Sequence, residues 1–420
     1  MAELFRKEVL DNGVRVVAER MPSVRSVSIG VWVDVGSRDE RRGEEGLSHF
    51  IEHMFFKGTR RRSAEAISRQ IDALGGELNA FTSRECTTFY AKVLDEHLGP
   101  GIDLLADIFH HSRFDAKELT KEKQVVLDEI RMVKDDPEEY LHDLHTKNAF
   151  RTHPLGRPIW GKVSTIQTLR RDDLLAFRSS HYRPAQVVIA VAGNVAFGPL
   201  FTQLASVFGG RWGGTTAPEG RRPPAIEGGS RIWPKRLEQV HLCVGMKGVS
   251  HADTDRYGVY ALNAVLGGGV SSRLFQEVRE KRALAYSIYS SLQCFTDSGL
   301  LTVYAGARPD AAPRVLKLIL AELRRLKAGP VGRAELARAK SQLKGSVVLG
   351  LENTSSRMSK AAKDELYFGR HIPIEKIMAD IDRISASQLW RLSQDLFDDR
   401  CLTVTALGPL KTGAVEHIVQ

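Results

Sequence analysis

"GGRWGGTTAPEGRRPPAIEGGSRI", residues 209–232, is the stretch on which the reading of the whole chain turns. Glycine and proline accumulate there, apolar periodicity stops and backbone breakers dominate, as in a linker. It falls at the middle of a 420-residue chain. Domains mostly run about 100–200 residues, so two are expected. The expected division is a first domain over 1–208, the linker over 209–232 and a second domain over 233–420.

The text on either side of the linker repeats. Each half opens with an apolar strand candidate, "VSIGVWVDVG" at 27–36 and "VHLCVGMKG" at 240–248. Each passes through a helical stretch and returns to strand-like text, "TTFYAKVL" at 87–94 and "GLLTVYAGA" at 299–307. Each then runs into a helix pair that begins alike, "FDAKELTKEKQVVLDEI" at 114–130 and "VGRAELARAKSQLKGSV" at 331–347. Aligning Gly36 with Gly248 gives an offset of 212, and aligning Glu118 with Glu335 gives 217. A duplicated α+β domain of roughly 210 residues explains this better than two unrelated domains. Strands followed by helix pairs, without strict βαβ alternation, predict in each copy a mostly antiparallel sheet with helices packed on one face.

Hydrophobic content of 42% and charged content of 26% describe a globular chain and leave no case for disorder. No apolar run approaches the roughly 20 residues of a membrane helix, so no membrane insertion is expected. The N-terminus alternates charged and apolar residues and does not read as a signal peptide. Cys86, Cys243, Cys294 and Cys401 form no CxxC pair, which suggests neither a disulfide framework nor a cysteine metal site. A cytoplasmic location is expected. The net charge of +9 raises the question of nucleic acid, but the basic runs at 60–62, 221–222 and 324–325 lack interleaved aromatics. They read as solvated surface, and no nucleic-acid partner is expected.

The chemistry concentrates in "GLSHFIEHMFFKGT", residues 46–59, which reads as a short helix stopped near Gly58. On a helix His49 and His53 lie one turn apart on one face, with Glu52 beside both. Two imidazoles on one face can bind a metal while the neighbouring carboxylate stays free for proton transfer, the H-x-x-E-H arrangement. With 13 His and 51 acidic residues, chance would produce the pattern only about 0.05 times per chain. Catalytic zinc usually takes three protein ligands, so a third must be found. Glu122 and Glu129 in "LTKEKQVVLDEIRMV" stand two helical turns apart on one face, with Val125 and Val126 between them. Buried carboxylates are costly unless paired or bound to metal. His110 and His111 point apart, and His142 and His145 follow an acidic "DDPEEY" that reads as helix surface, so these four are weaker candidates.

With these residues assembled, the chain resembles the pitrilysin-type, or inverzincin, zinc metallopeptidase family, most closely the mitochondrial processing peptidase β-subunits and their bacterial relatives. The resemblance implies that the third ligand is the glutamate 76 positions after the second motif histidine, which is Glu129 here, and that Glu122 supports the site. It extends to "GGELNAFTSRECTTFYAKV" (75–93), "THPLGRPIWG" (152–161), "HYRPAQVVIAVAGNV" (181–195) and "REKRALAYSIYS" (279–290). It implies substrate contacts by Asn79 and Ala80 on a strand edge and by Arg279 and Tyr286 in the second half. By spacing alone Arg279 reads as surface and Tyr286 as core. Ala283 stands where the family usually has glycine, a departure expected to alter a turn more than the chemistry.

The resemblance further implies a clam-shaped pair of homologous halves, with one zinc per chain, held by His49, His53 and Glu129 in the first. The second copy lacks the ligands under either offset, since the matching positions are Ala261, Val265 and Ser341 or Leu266, Val270 and Ser346. "LGGGVSSRLF" (266–275) is glycine-rich without a P-loop pattern, so phosphate binding is not expected. The expected function is a zinc endopeptidase cleaving peptides or unfolded, presequence-like segments, with Glu52 as general base and Glu122 orienting a ligand. A homodimer, or a heterodimer with a homologue lacking the motif, is the implied assembly. The competing reading is a noncatalytic structural or assembly subunit of the same fold, and the intact motif speaks against it.

Overall fold

A computed structural model of the chain describes residues 4–213 and 220–411. The expected linker is therefore described at its two ends, and its middle, 214–219, lies outside the described residues. Six strands form the first sheet: β1 (Phe5–Val9), β2 (Arg15–Arg20), β3 (Ser26–Val33), β4 (Glu77–Thr82), β5 (Thr87–Leu94) and β6 (Val187–Gly193). Their order is β1-β2-β6-β3-β5-β4, and every pairing is antiparallel except β2 with β6. The second sheet has β7 (Gly229–Pro234), β8 (Val240–Lys247), β9 (Ala285–Cys294), β10 (Gly299–Ala307) and β11 (Thr403–Gly408) in the order β7-β11-β8-β10-β9. Its one parallel pair is β7 with β11. With β1 set aside, the two sheets share strand order and the position of the parallel pair, so the repeat in the text is a repeat in topology.

β3, "SVSIGVWV", shows why the first sheet is buried on both faces. Val27, Ile29, Val31 and Val33 alternate onto the face covered by most helices, where they meet the side chains of α1 (Leu47–Phe55), α2 (Ala64–Ala73), α3 (Leu98–His111) and α4 (Ala116–Asp135). Trp32 points the other way. There the helix Thr354–Phe368 covers the sheet with Met358, Ala361 and Ala362 against Trp32, Val17, Val188 and Ala190. Gly30 permits that approach, because a Cβ at this position would stand 2.6 Å from Met358 Sδ. Ser28 Oγ and Thr354 Oγ1, 2.9 Å apart, pin the start of the helix.

That helix comes from the second half of the sequence, and the exchange is reciprocal. Grouping by packing puts the described chain up to Arg131, Arg157 to Arg221 and Gly350 to His371 in one compact unit. Met132 to Gly156, Arg222 to Leu349 and the remainder from Ile372 form the other. Relative to the contiguous halves, each unit has taken one segment from its neighbour in sequence. The helix α5 (Pro137–Phe150) accordingly packs on β8 and β11 of the second sheet. Its His145 faces Thr405 Oγ1 at 2.9 Å and is only 1% exposed, whereas the acidic stretch ahead of it, residues 135–140, is exposed or half-buried, in keeping with its reading as helix surface. The same helix thus joins a solvated acidic first turn to a buried face that carries Leu141, Leu144, His145 and Ala149.

The departure at Ala283 has a conformational cost. Its φ is +49°, in the left-handed region that glycine adopts freely and other L-residues resist by roughly 1–2 kcal/mol. Ala283→Gly is expected to stabilise the protein by about 0.5–1 kcal/mol, the relief of strain less the added freedom of the unfolded chain. Urea titration checks this, and an unchanged or lower midpoint would refute it. Among the described residues no helix is long and apolar enough to cross a membrane.

Candidate metal centre

α1 begins at Gly46, which has φ +95° and no side chain with which to cap the helix, and ends at Phe56 with Gly58 just beyond at φ +105°. Leu47, Phe50, Ile51, Met54 and Phe55 drive one face of this short helix into the core. The period of 3.6 residues leaves His49, Glu52 and His53 together on the half-buried face. α4 runs past them. Its Leu119, Val126, Leu127 and Ile130 are buried, Glu122 is 4% exposed, and Glu129 is half-buried one turn beyond Val126. Val125, expected between the glutamates on the same side, faces solvent.

His49 Nε2 and His53 Nε2 are 3.4 Å apart, and Glu129 Oε2 lies 3.7 Å from the first and 3.4 Å from the second. Zinc with ligands at about 2.0–2.1 Å in tetrahedral array needs donor atoms about 3.3–3.4 Å apart, so the three atoms fit one ion. Among the described residues this is the one group of three or more His, Cys, Asp or Glu side chains close enough to hold a metal. The carboxylates around the triangle favour a cation there, and they also act on His53. Burial pulls its imidazole down, but hydrogen bonds to Glu122 and Glu129, and the charges of Glu129 and Glu52, push it up to about 9. His49 behaves oppositely, brought down to about 4 by burial and then by the charge of His53. Glu129 is held below the ordinary carboxylate range, chiefly by its hydrogen bond to His53.

Glu122 Oε2 stands 3.2 Å from His53 Nδ1, and Glu122 Oε1 pairs with Lys57 Nζ at 2.8 Å. This geometry lets Nδ1–H donate to the carboxylate and leaves Nε2 as a lone-pair donor. Glu52 is not part of the triangle. Burial raises its carboxyl above the ordinary range, against the pull of a hydrogen bond in which Thr82 Oγ1 donates to Oε2 at 2.5 Å. Thr82 and Lys57 were missed in the sequence. Thr82 lies in "LNAFT", and strand alternation sets it on the same face as Leu78 and Ala80; Lys57 stands four residues after His53, just past the end of α1.

β4 is the outer strand of the first sheet, so its far edge is unpaired within the sheet. Asn79 on it is exposed, and its Oδ1 accepts from the Ala80 amide at 2.8 Å. Arg279 and Tyr286 belong to the second unit and are brought together there, with the guanidinium 4.7 Å from the Tyr286 ring centre and 4.8 Å from that of Phe275. Tyr286 is 79% exposed on the edge strand β9, which overturns its reading as a core residue. Tyr286 breaks the alternation because it sits at a β-bulge: Gly306 pairs with Ser287 and Ala307 with Ala285, so Tyr286 has no partner on β10 and is turned outward, although Ile288 two positions on is buried.

Residues 15–163 match a family profile described as insulinase, peptidase family M16, and residues 168–343 match one described as the peptidase M16 inactive domain. An uncharacterized zinc protease of Bacillus subtilis, YmxG, is 41% identical over 396 residues, spanning 94% of this chain and 96% of that one. An uncharacterized zinc protease of Streptomyces coelicolor is 40% identical, spanning 97% and 90%. The crystal structure of a protease from Helicobacter pylori superposes with a TM-score of 0.92 at 25% identity, covering 96% of this chain and 99% of that one. Two profile matches in tandem and relatives that share nearly the full length lead to one conclusion: this chain belongs to peptidase family M16.

Proposed function

We propose that the protein is a zinc-dependent endopeptidase acting on extended peptides or unfolded segments. The observation that carries this reading is the donor triangle of His49, His53 and Glu129 with the non-ligating Glu52 on the same helix face. Zinc at that position would supply Lewis acidity, polarising the scissile carbonyl and making a water easier to deprotonate. Glu52 takes the proton of the attacking water at the oxygen not engaged by Thr82 and returns it to the leaving amine. Its raised affinity for protons, caused by burial, suits a group that must both accept and give. Thr82 holds the carboxylate in one rotamer during both steps. Glu122 keeps His53 in the tautomer that presents Nε2, with Lys57 balancing its charge.

The substrate is proposed to lie as an added strand along the free edge of β4. The Ala80 amide is bonded to its neighbour's side chain, so an incoming carbonyl would exchange one acceptor for another there. Arg279 and Tyr286 are proposed as further contacts to the peptide, on the family resemblance and on the exposure of the tyrosine. Assembly as a homodimer, or with a homologue lacking the motif, is proposed on the same resemblance.

The test is metal analysis combined with cleavage-site profiling of the isolated full chain on a peptide library. About one zinc per chain and discrete cleavage products are expected. A protein that takes up zinc yet cleaves nothing would favour the structural-subunit reading or dependence on a partner, and adding the partner separates these two. Glu122→Gln is expected to lower zinc affinity about 10–100-fold, the usual consequence of losing the carboxylate behind a ligating histidine. Chelator competition measures this, and an unchanged affinity would remove Glu122 from the site.

A further inference from the structure

The two ligand histidines share a helix but are restrained by different means. His53 has its outer ring nitrogen against Glu122. His49 Nδ1 is buried with no hydrogen-bond partner among the described residues. A metal-ligating histidine usually gives that N–H to a carboxylate or carbonyl, which fixes the ring. Some other restraint must therefore orient His49.

Two features converge on it. The Trp160 indole and the His49 ring stand in a T-shaped arrangement, with centroids 6.2 Å apart and planes at 85°. The first turn of α1 is also held from outside the helix. Gly46 at the cap position cannot accept the free amides of that turn with a side chain. Glu40 does so instead: its Oε2 accepts from Gly46 N at 2.9 Å and its Oε1 from Ser48 N at 2.8 Å, and the residue is 3% exposed. Both carboxylate oxygens are thus spent on the turn that carries His49.

Trp160 and Glu40 are parts of one buckle. Arg157 donates to the Glu40 carbonyl. Gly161, at φ +79°, crosses the chain so closely that a Cβ there would come 2.2 Å from Glu45 O and 2.5 Å from Gly46 Cα. Lys162 Nζ pairs with Glu45 Oε1 at 2.8 Å, and Thr165 donates to Glu45 Oε2 at 3.3 Å. The segment 157–162, "RPIWGK", is strapped across the start of the metal helix, and no step of the proposed mechanism uses it.

We propose that Trp160 and Glu40 are positioning residues for His49, a packed ring wall and an external helix cap doing for this ligand what the Glu122 hydrogen bond does for His53. The inference rests on the zinc reading of the site. Removing the indole widens the orientations open to His49, and replacing Glu40 by glutamine sets an amide against two backbone N–H donors. Neither side chain touches the reacting atoms, so the effect falls first on metal binding.

The experiment uses full-length, metal-stripped protein: wild type, W160A, W160F and E40Q. Zinc affinity is read by competition with a chromophoric chelator, ligand geometry by the visible bands of the cobalt-substituted protein, and folding by the melting temperature of each metal-free form. W160A and E40Q are expected to bind zinc about 10–100-fold more weakly, with altered cobalt bands, while metal-free W160A melts close to wild type. W160F, which keeps an aromatic ring at this position, is expected to recover most of the affinity. Wild-type protein that binds zinc with W160A and E40Q equal to it would overturn this inference and leave the zinc reading intact. Affinity losses that merely follow the metal-free melting temperatures across the series would also overturn it. Wild-type protein that binds no zinc would remove the metal reading itself.

Discussion

Glu52→Gln is expected to lower the rate of peptide cleavage by about 10²–10⁴-fold while zinc content stays at the wild-type level. Glutamine is nearly isosteric and can still accept the Thr82 hydroxyl, so the α1 face and the His49, His53 and Glu129 triangle should survive. What is lost is a group able to take a proton from water and hand it to the amine. The kinetic signature is a fall in kcat with KM little changed, because the residue acts in the transition state more than in binding. A variant that cleaves at the wild-type rate would end the case for Glu52 as general base. A variant that loses zinc along with activity would place Glu52 among the ligands, contrary to its position outside the triangle.

The second large effect is on the metal. His53→Ala removes the donor that lies 3.4 Å from each of the other two, leaving His49 and Glu129 3.7 Å apart as a pair. Two protein ligands do not make a catalytic zinc site, so zinc content is expected to drop to near zero after dialysis, with cleavage at background. The fold should persist. Glu122 loses the imidazole but keeps Lys57 at 2.8 Å, so no buried carboxylate is left wholly uncompensated. Circular dichroism of the variant should match that of metal-stripped wild type. Retention of about one zinc per chain would require a different third ligand, and the described residues offer no other cluster of suitable donors.

These two variants separate the readings that the motif alone leaves open. Loss of cleavage with zinc retained assigns chemistry to Glu52. Loss of both assigns ligation to His53. Full activity in each case would send the search for the catalytic group elsewhere on the chain.

Much of the metal centre was legible because it is short-range. His49, Glu52 and His53 lie within five positions, and an α-helix of any tertiary context sets them on one face. Glu122 and Glu129 share a face for the same reason, two turns apart. The meeting of the two helices was inferred from resemblance, since nothing in either segment dictates it. Strand text alone does not mark Thr82 as the partner of Glu52, because that contact joins residues 30 apart. Tyr286 is not legible from spacing because a β-bulge at that residue breaks the two-residue alternation, and the bulge depends on the pairing of β9 with β10.

The amino-acid sequence by itself determined the duplication and the helix that carries His49, Glu52 and His53. These follow from composition and from periodicities of 2.0 and 3.6 residues, which act within a few positions. The tertiary structure decided which segment covers which sheet. It placed Thr354–Phe368 over the first and Pro137–Phe150 over the second, and so buried His145 against Thr405. It also laid Trp160 against His49 and closed Glu40 on the start of α1. The physical reason is that each sheet has two apolar faces and its own half of the sequence fills only one. Which distant segment buries the other depends on shape and chain path, as where Gly30 admits Met358, and no local pattern records it.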